Sequence, residues 1–179
     1  DDLEKNNFWF FMSSICWGII GPGNIANNFA DGLKESKSGN LIAIASKNNQ
    51  RRKNFGDKYH IENRLRFTDY DDLINSKEID AVYISTPHHL HAELTIKAAG
   101  KGKNILCEKP AAINFKEGLK VIEAVKKAGV FYMEGFMYRC HPQIPKLVDI
   151  IKQRKIGDLK TIKSSFGFDV GKTISESRL

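Results

Sequence analysis

Ser14-Ile15-Cys16-Trp17-Gly18-Ile19-Ile20-Gly21-Pro22-Gly23-Asn24-Ile25-Ala26 is the stretch whose reading decides the fold. Ser14 to Ile20 is a bounded apolar run with the length of a buried strand. The residues after it open a helix in which Ile25, Phe29 and Leu33 recur every four positions. Between the two lies Gly21-x-Gly23-x-x-Ala26. Placed directly after a strand and before an amphipathic helix, this pattern is the fingerprint of a dinucleotide site. Gly21 permits the tight turn, Gly23 keeps side-chain atoms away from a pyrophosphate, and Ala26 lets the helix pack closely on the strand. Asn24 and Ile25 begin the helix, where unpaired N–H groups and the positive dipole end face the phosphates. The plainer alternative is a glycine turn that joins strand to helix and binds nothing.

Downstream, apolar strands and amphipathic helices keep alternating. Strands are expected at Leu41–Ala45, Leu65–Phe67, Ala81–Ser85, Asn104–Cys107 and Val130–Met133. Helices are expected at Arg51–Tyr59, at Asp69–Asn75 behind an N-cap in Thr68 or Asp69, and at His89–Ala99 before Gly100 and Gly102. A further helix runs from its cap Asn114 to Gly129, with Phe115, Leu119, Ile122 and Val125 on one face. Such alternation implies crossovers and a parallel sheet covered on both sides. The fold class is therefore α/β: a doubly wound, parallel-sheet Rossmann domain over about residues 12–135. The rhythm then changes. Pro142 opens a helix with Ile144, Leu147, Val148 and Ile151 in register, and after Gly157 comes a period-two strand carrying Ile162, Phe166 and Phe168. Residues 136–179 read as the start of an incomplete α+β second domain, which would leave a strand edge from Thr161 to Val170 open to a second copy.

Bulk properties exclude several classes. The 179 residues are 41% hydrophobic and 27% charged, without a low-complexity tract. No apolar run approaches the roughly 18 residues of a membrane span. The cluster Phe8 to Phe11 is short and lies behind Asp1, Asp2 and Glu4, where a secretory signal needs basic residues. Cys16, Cys107 and Cys140 make no Cys-x-x-Cys pair and read as reduced thiols of a cytoplasmic protein. The net charge of +7 is spread over polar helix faces without a basic, aromatic-interleaved stripe, so neither nucleic acid nor membrane is an expected partner. Residues 1–11 show no periodicity and Met12 precedes the first strand. They are read as an extension before a natural start, or as an ordinary disordered terminus.

The end of the second strand bears on the cofactor. NAD sites place Asp or Glu about 20 residues after the glycines, to accept from the ribose hydroxyls. Here that place holds Ser46 and Lys47, followed by Arg51 and Arg52, and no carboxylate lies between Leu41 and Phe55. Ser46, Lys47 and Arg51 suit a 2′-phosphate, so NADP is favoured over NAD. The alternative is that these cations are solvated surface charges.

Three motifs in order, Gly18-Ile19-Ile20-Gly21-Pro22-Gly23-Asn24-Ile25-Ala26, Ser85-Thr86-Pro87-His88-His89-Leu90-His91 and Cys107-Glu108-Lys109-Pro110, together resemble the Gfo/Idh/MocA oxidoreductases. The glucose–fructose oxidoreductase and dihydrodiol or xylose dehydrogenase branch is the most similar. Met137-Tyr138-Arg139-Cys140-His141-Pro142-Gln143 resembles that family's passage into its second domain. The resemblance implies hydride transfer between a nicotinamide and a hydroxyl-bearing carbon of a sugar, polyol or diol. It implies that Lys109 is the catalytic lysine and touches cofactor and substrate, either orienting the alcohol or acting as general base. It also implies that Glu108 fixes the cofactor and Lys109, with Pro110 following a cis peptide. Thr86, Pro87 and His88 fall where the family contacts the nicotinamide side. His91 belongs to the same cofactor-binding group or packs at the helix start. His88 and His91 also invite a metal reading, but no acidic or Cys cluster completes a site, so no metal is expected. Arg139 is implied at the cofactor, and Tyr138 and His141 at the substrate; a structural role at the domain junction fits them equally.

Relatives of this family carry a large second domain with a further catalytic group, and nothing here matches it. The expectation is a C-terminally truncated product that binds dinucleotide and turns over slowly or not at all. The competing reading is a nucleotide-binding or redox-sensing module without chemistry.

Overall fold

In the computed structural model, which describes residues 14–167, strand β1 (Ile15–Ile20) sits mid-sheet between two parallel neighbours, β2 (Gly39–Ala45) and β4 (Ala81–Ile84). β3 (Arg66–Phe67) extends the sheet beyond β2; β5 (Asn104–Cys107) and β6 (Tyr132–Glu134) extend it beyond β4. The order β3-β2-β1-β4-β5-β6, parallel throughout, is the doubly wound sheet expected from the alternation of elements. Its central strands are buried: Ile19, Ile20, Ala43, Ile44, Val82 and Ile84 are wholly inaccessible. A strand covered on both faces has no polar side to alternate with, which is why these segments read as continuous apolar runs.

Five helices make the crossovers: α1 (Asn24–Lys34), α2 (Asn49–Lys58), α3 (Tyr70–Asn75), α4 (His91–Gly100) and α5 (Phe115–Ala128). α1 and α2 lie side by side, with Tyr59 at the end of α2 donating to Asn27 Oδ1 and Asp31 Oδ1 of α1, and α4 and α5 pack together. Their ends follow local chemistry. Asn48, Asp69 and Asn114 accept from backbone N–H groups in the first turns of α2, α3 and α5. α5 stops where Gly129 turns left-handed at φ +66° and donates back to Val125 O and Lys126 O. α4 is preceded by a 3-10 turn, His88–Leu90, so the helix itself starts two residues later than the sequence pattern indicates.

The core takes one of two apolar stripes of α5, and one expected strand is not formed. The apolar stripe Phe115, Leu119 and Ile122 of α5 faces outward, at 79%, 46% and 43% exposure, while Val121 is buried and Ala124 and Val125 pack on the core. The helix carries two apolar stripes one position apart, and periodicity does not say which one the sheet takes. The strand expected after Gly157 is not formed: Thr161 to Gly167 has no regular structure, and no strand among the described residues pairs with it. An alternating segment forms a strand only against a partner ladder, and none of the described strands supplies one to it. Phe168 to Val170, like residues 1–13, lies outside the described residues.

Contacts between Cα atoms divide the chain into a unit ending at Gly135 and one beginning at Phe136. The second, by itself, contains the 3-10 turn Met137–Cys140 and α6 (Gln143–Lys152), with Pro142 at the helix N-cap. Among the described residues no helix is long and apolar enough to cross a membrane.

Packing beneath the first strand is tight enough to test. A Cβ on Gly18 would sit 2.9 Å from Leu73 Cδ2 and 3.2 Å from Ile79 Cδ1. Gly18→Ala is expected to cost about 1–3 kcal/mol through overpacking, and Leu73→Ala about 2–5 kcal/mol through a cavity. The double variant, in which each change relieves the other, is expected to lose less than the sum in urea titrations; strict additivity would contradict this packing.

Candidate functional site

The strand ends are level. Ala45, Ile20, Ile84, Cys107 and Glu134 pair across the sheet in one row. The next residue of each strand is held by one more ladder bond. Gly21 N–H donates to Ala45 O (3.1 Å), Ser85 N–H to Ile20 O (2.9 Å), Glu108 N–H to Ile84 O (2.9 Å), Gly135 N–H to Cys107 O (2.7 Å) and Ser46 N–H to Phe67 O (3.1 Å). Chain segments far apart in sequence thus arrive at one mouth, with the strand order reversing between β1 and β4. Crevices at the carboxyl ends of strands, at such a reversal, are where open α/β sheets bind ligands.

At the centre of the mouth is the glycine turn. Gly21 has φ +94°, and a Cβ there would lie 3.0 Å from Ser85 O and 3.1 Å from Thr86 Cγ2, so glycine is required twice over. Ser85 Oγ donates to Gly21 O at 2.8 Å and fixes the turn. Gly23 is the opposite case: a Cβ would meet nothing within 4 Å. The space above it is open, and Gly23 caps α1 without any side-chain hydrogen bond, leaving the first N–H groups, at Asn24 and Ile25, uncapped by a side chain. Asn27 holds this turn from below, its Nδ2 donating to Gly23 O and its Oδ1 accepting from Lys58 and Tyr59.

The neighbouring loop starts with Thr86, 7% exposed, whose Oγ1 is buried without a hydrogen-bond partner. Thr95 Oγ1 and Tyr132 Oη are likewise buried without a partner; what sets Thr86 apart is its place at the mouth, where water, an ion or a ligand can complete it. The open space over Gly23 and this orphan hydroxyl both fit a bound dinucleotide. Pro87 and His88 are exposed beside it, and the His88 ring meets the His91 ring edge to face at 5.6 Å.

His91 departs from its assignment as a cofactor contact. It is 0% exposed, with Nε2 2.9 Å from Thr86 O and Nδ1 2.7 Å from Pro110 O. A ring wholly enclosed by its own chain lies beneath the mouth and touches no cofactor there.

On the far side, Glu108 is half-buried and accepts from Tyr83 Oη at 2.7 Å. Tyr83, 2% exposed, stacks on Phe29 of α1 with ring centroids 4.1 Å apart. Lys109 is exposed and precedes a cis peptide to Pro110, as the resemblance implies. Ala111 N–H donates to Glu134 Oε1 at 2.8 Å, tying the loop to β6. Tyr83 and Glu134 went unread in the sequence. Tyr83 had a signal: a lone phenol in the apolar strand Ala81-Val82-Tyr83-Ile84 needs a buried partner, and Glu108 directly follows the neighbouring strand.

At the other end, Ser46 is 5% exposed and its Oγ accepts from Asn48 N–H at 3.3 Å. Lys47 and Arg51 are exposed, and Lys47 Nζ lies 5.5 Å from the Tyr70 ring centre. Arg52 is occupied with its own scaffold, donating to Ser46 O and to Asn49 Oδ1. Tyr138, Arg139 and His141 belong to the second unit. All three are exposed on or beside its 3-10 turn, and His141 Nδ1 accepts from Gln143 N–H at 3.2 Å.

Cys107, 0% exposed, ends β5 directly below the mouth, and burial pushes its thiol up from 9.0 to about 12. Tyr83 and Tyr132 are also raised by burial. Above pH about 9 the unfolded chain releases the Cys107 proton while the folded chain keeps it, so stability is full below that pH and falls as pH rises toward about 12. The slope approaches about 1.4 kcal/mol per pH unit for this one group. Urea midpoints across this range are expected to fall less steeply for Cys107→Ala than for the parent; identical slopes would contradict the assignment.

Comparison with known proteins agrees with this geometry. Residues 15–136 match the family described as "Oxidoreductase family, NAD-binding Rossmann fold", the Gfo/Idh/MocA group. The chain is 32% identical over 158 residues to the trans-1,2-dihydrobenzene-1,2-diol dehydrogenase of Xenopus tropicalis, covering 87% of this chain and 47% of that protein. The enzyme of the same name from Mus musculus is 31% identical over 156 residues, covering 86% and 46%. The chain spans about half the length of the curated relatives it matches. A 3-ketoreductase from Actinomadura kijaniata, solved in complex with NADP, superimposes with a TM-score of 0.73 at 30% identity, over 80% of this chain and 45% of that one. Apo scyllo-inositol dehydrogenase from Lactobacillus casei shares the fold, with a TM-score of 0.75 at 24% identity over 81% and 43%. With the glycine turn, the Thr86 loop and the Glu108-Lys109-Pro110 loop brought to one mouth, and the family pattern matched across them, the chain belongs to the Gfo/Idh/MocA oxidoreductase family.

Proposed function

We propose that this chain is the cofactor-binding part of an NADP-linked dehydrogenase acting on the CH–OH group of a sugar, polyol or diol. The observation that carries the proposal is the shared mouth, where an open glycine turn, an orphan buried hydroxyl and a lysine loop meet at a strand-order reversal. The relatives support the substrate class, being named for a diol, and the reductase neighbour holds NADP.

When bound, the dinucleotide supplies the nicotinamide that exchanges hydride with the substrate carbon. This chain's residues do the rest. Gly21, Gly23 and the first N–H groups of α1, at Asn24 and Ile25, bind the pyrophosphate. Ser46, Lys47 and Arg51 hold the 2′-phosphate, a role open to them because no carboxylate stands at the end of β2. Thr86, Pro87, His88 and Glu108 orient the nicotinamide end. Lys109 reaches from its fastened loop, donates a hydrogen bond to the reacting oxygen and stabilises the charge that builds there. In this reading residues 12–135 form the cofactor domain and 136–179 begin the substrate domain, and the three free thiols suit a reducing cytoplasm.

Calorimetric titration tests the reading. NADP is expected to saturate the protein and to bind more tightly than NAD. Gly23→Val is expected to abolish binding without lowering Tm, since nothing within 4 Å opposes a side chain there, whereas Gly21→Ala is expected to lower Tm. Lys47→Ala is expected to erode the NADP preference by about tenfold, the worth of one charge-assisted hydrogen bond. No saturation with either dinucleotide defeats the proposal. Lys109→Met is expected to keep the affinity and lose NADPH formation from vicinal diols, pentoses and hexoses. Binding by the parent with no turnover on that panel would point instead to a nucleotide-sensing module.

A further inference from the structure

We propose that His91 is a positioning residue, a buried clamp that sets the Thr86 loop and the Lys109 loop at a fixed separation. The inference rests on the reading of those two loops as the walls of the nicotinamide end.

The geometry is specific. His91 heads α4 and is completely enclosed. Its two ring nitrogens meet main-chain carbonyls of two different loops, Thr86 O at the end of β4 and Pro110 O just beyond β5. Carbonyl oxygens only accept. Holding both carbonyls at once therefore takes an N–H on each ring nitrogen, the doubly protonated ring; with one N–H the ring would bond a single loop, and only one of the asparagine and glutamine variants would differ from the parent. A side chain present only to fill space has no need of nitrogen at both ends; any of the aliphatic residues that make up this core would serve. The two carbonyls also sit where alignment matters most. Thr86 carries the unpartnered hydroxyl, and Pro110 follows Lys109 directly, so a displacement of Pro110 moves the lysine with it. Tyr83 fastens Glu108, and Glu134 fastens Ala111, so the Lys109 loop is held along its length. His91 is the tie that relates this loop to the opposite wall.

Asparagine and glutamine divide the clamp. The amide nitrogen of asparagine falls near the place of Nδ1, and that of glutamine near the place of Nε2, so each variant keeps a donor for one loop. Amide hydrogen exchange without ligand reads the two loops separately. In His91→Asn, residues 109–113 are expected to stay as protected as in the parent while residues 86–90 exchange about tenfold faster, the scale of one lost buried hydrogen bond. In His91→Gln the pattern is expected to reverse. Both variants are expected to bind NADP about tenfold more weakly than the parent, again on that scale. Equal acceleration of both segments in both variants, or none in either, would overturn the clamp. The outcomes separate the two claims: a parent that binds no dinucleotide but shows the split exchange pattern keeps the clamp and removes the functional reading. A parent that binds NADP while the variants show no split removes the clamp alone.

Discussion

The parallel hydrogen-bond ladder, level across five strands at Ala45, Ile20, Ile84, Cys107 and Glu134, is the constraint on which the rest of the structure depends. Every crossover returns the chain to the same edge of the sheet, so each strand hands over to its loop at the same height. The five residues one step further, Ser46, Gly21, Ser85, Glu108 and Gly135, are then placed by main-chain bonds before any side chain acts. Burial on both faces locks the register. Slipping one strand by a residue would exchange the volumes that Ile19, Ile20, Ile44, Ile84 and Ile105 present to the two sides of the core.

Above that row the polar groups that enter the interior act as fasteners. Ser85 pins the glycine turn, Tyr83 pins Glu108, Glu134 pins Ala111, and His91 joins two carbonyls. Each group is satisfied by a partner remote in sequence, and an unsatisfied one would cost on the order of 1–3 kcal/mol. Lys103 shows the same economy away from the site. It is 8% exposed and donates to Ser76 O and Ile79 O, tying the end of α3 to the chain entering β4, and burial lowers its pKa. The polar interior therefore records which loops are held rigid.

Much of this was legible in the sequence, because the strand pattern and the glycine turn are short-range signals. All six strands, the caps at Asp69 and Asn114 and the stop at Gly129 follow from residues adjacent to them. What was not legible depends on partners distant in sequence. The outward stripe of α5 differs from the inward one only by which side the sheet lies on, and the segment from Thr161 to Gly167 alternates without a neighbour to pair with. His91 stands in a run with His88 and His89, and nothing local says that one is enclosed while the other two are exposed. The phenol of Tyr83 and the carboxylate of Glu134 gain meaning only once β4, β5 and β6 are known to be adjacent.

The two glycines of the turn show how a site can be both rigid and receptive. Gly21 is fixed by its backbone conformation and by carbonyl and methyl groups about 3 Å away, so its requirement belongs to folding. Gly23 faces open space, and nothing in the fold opposes a side chain there, so folding itself does not call for glycine at this position. The same division runs through the charged groups. Lys47, Arg51 and Lys109 are exposed at their ends, yet each springs from main chain held by the strand row or by a capped helix. With rigid attachment and free termini, a ligand that met any of these cations would have to order its side chain alone, since the backbone that carries it is already in place.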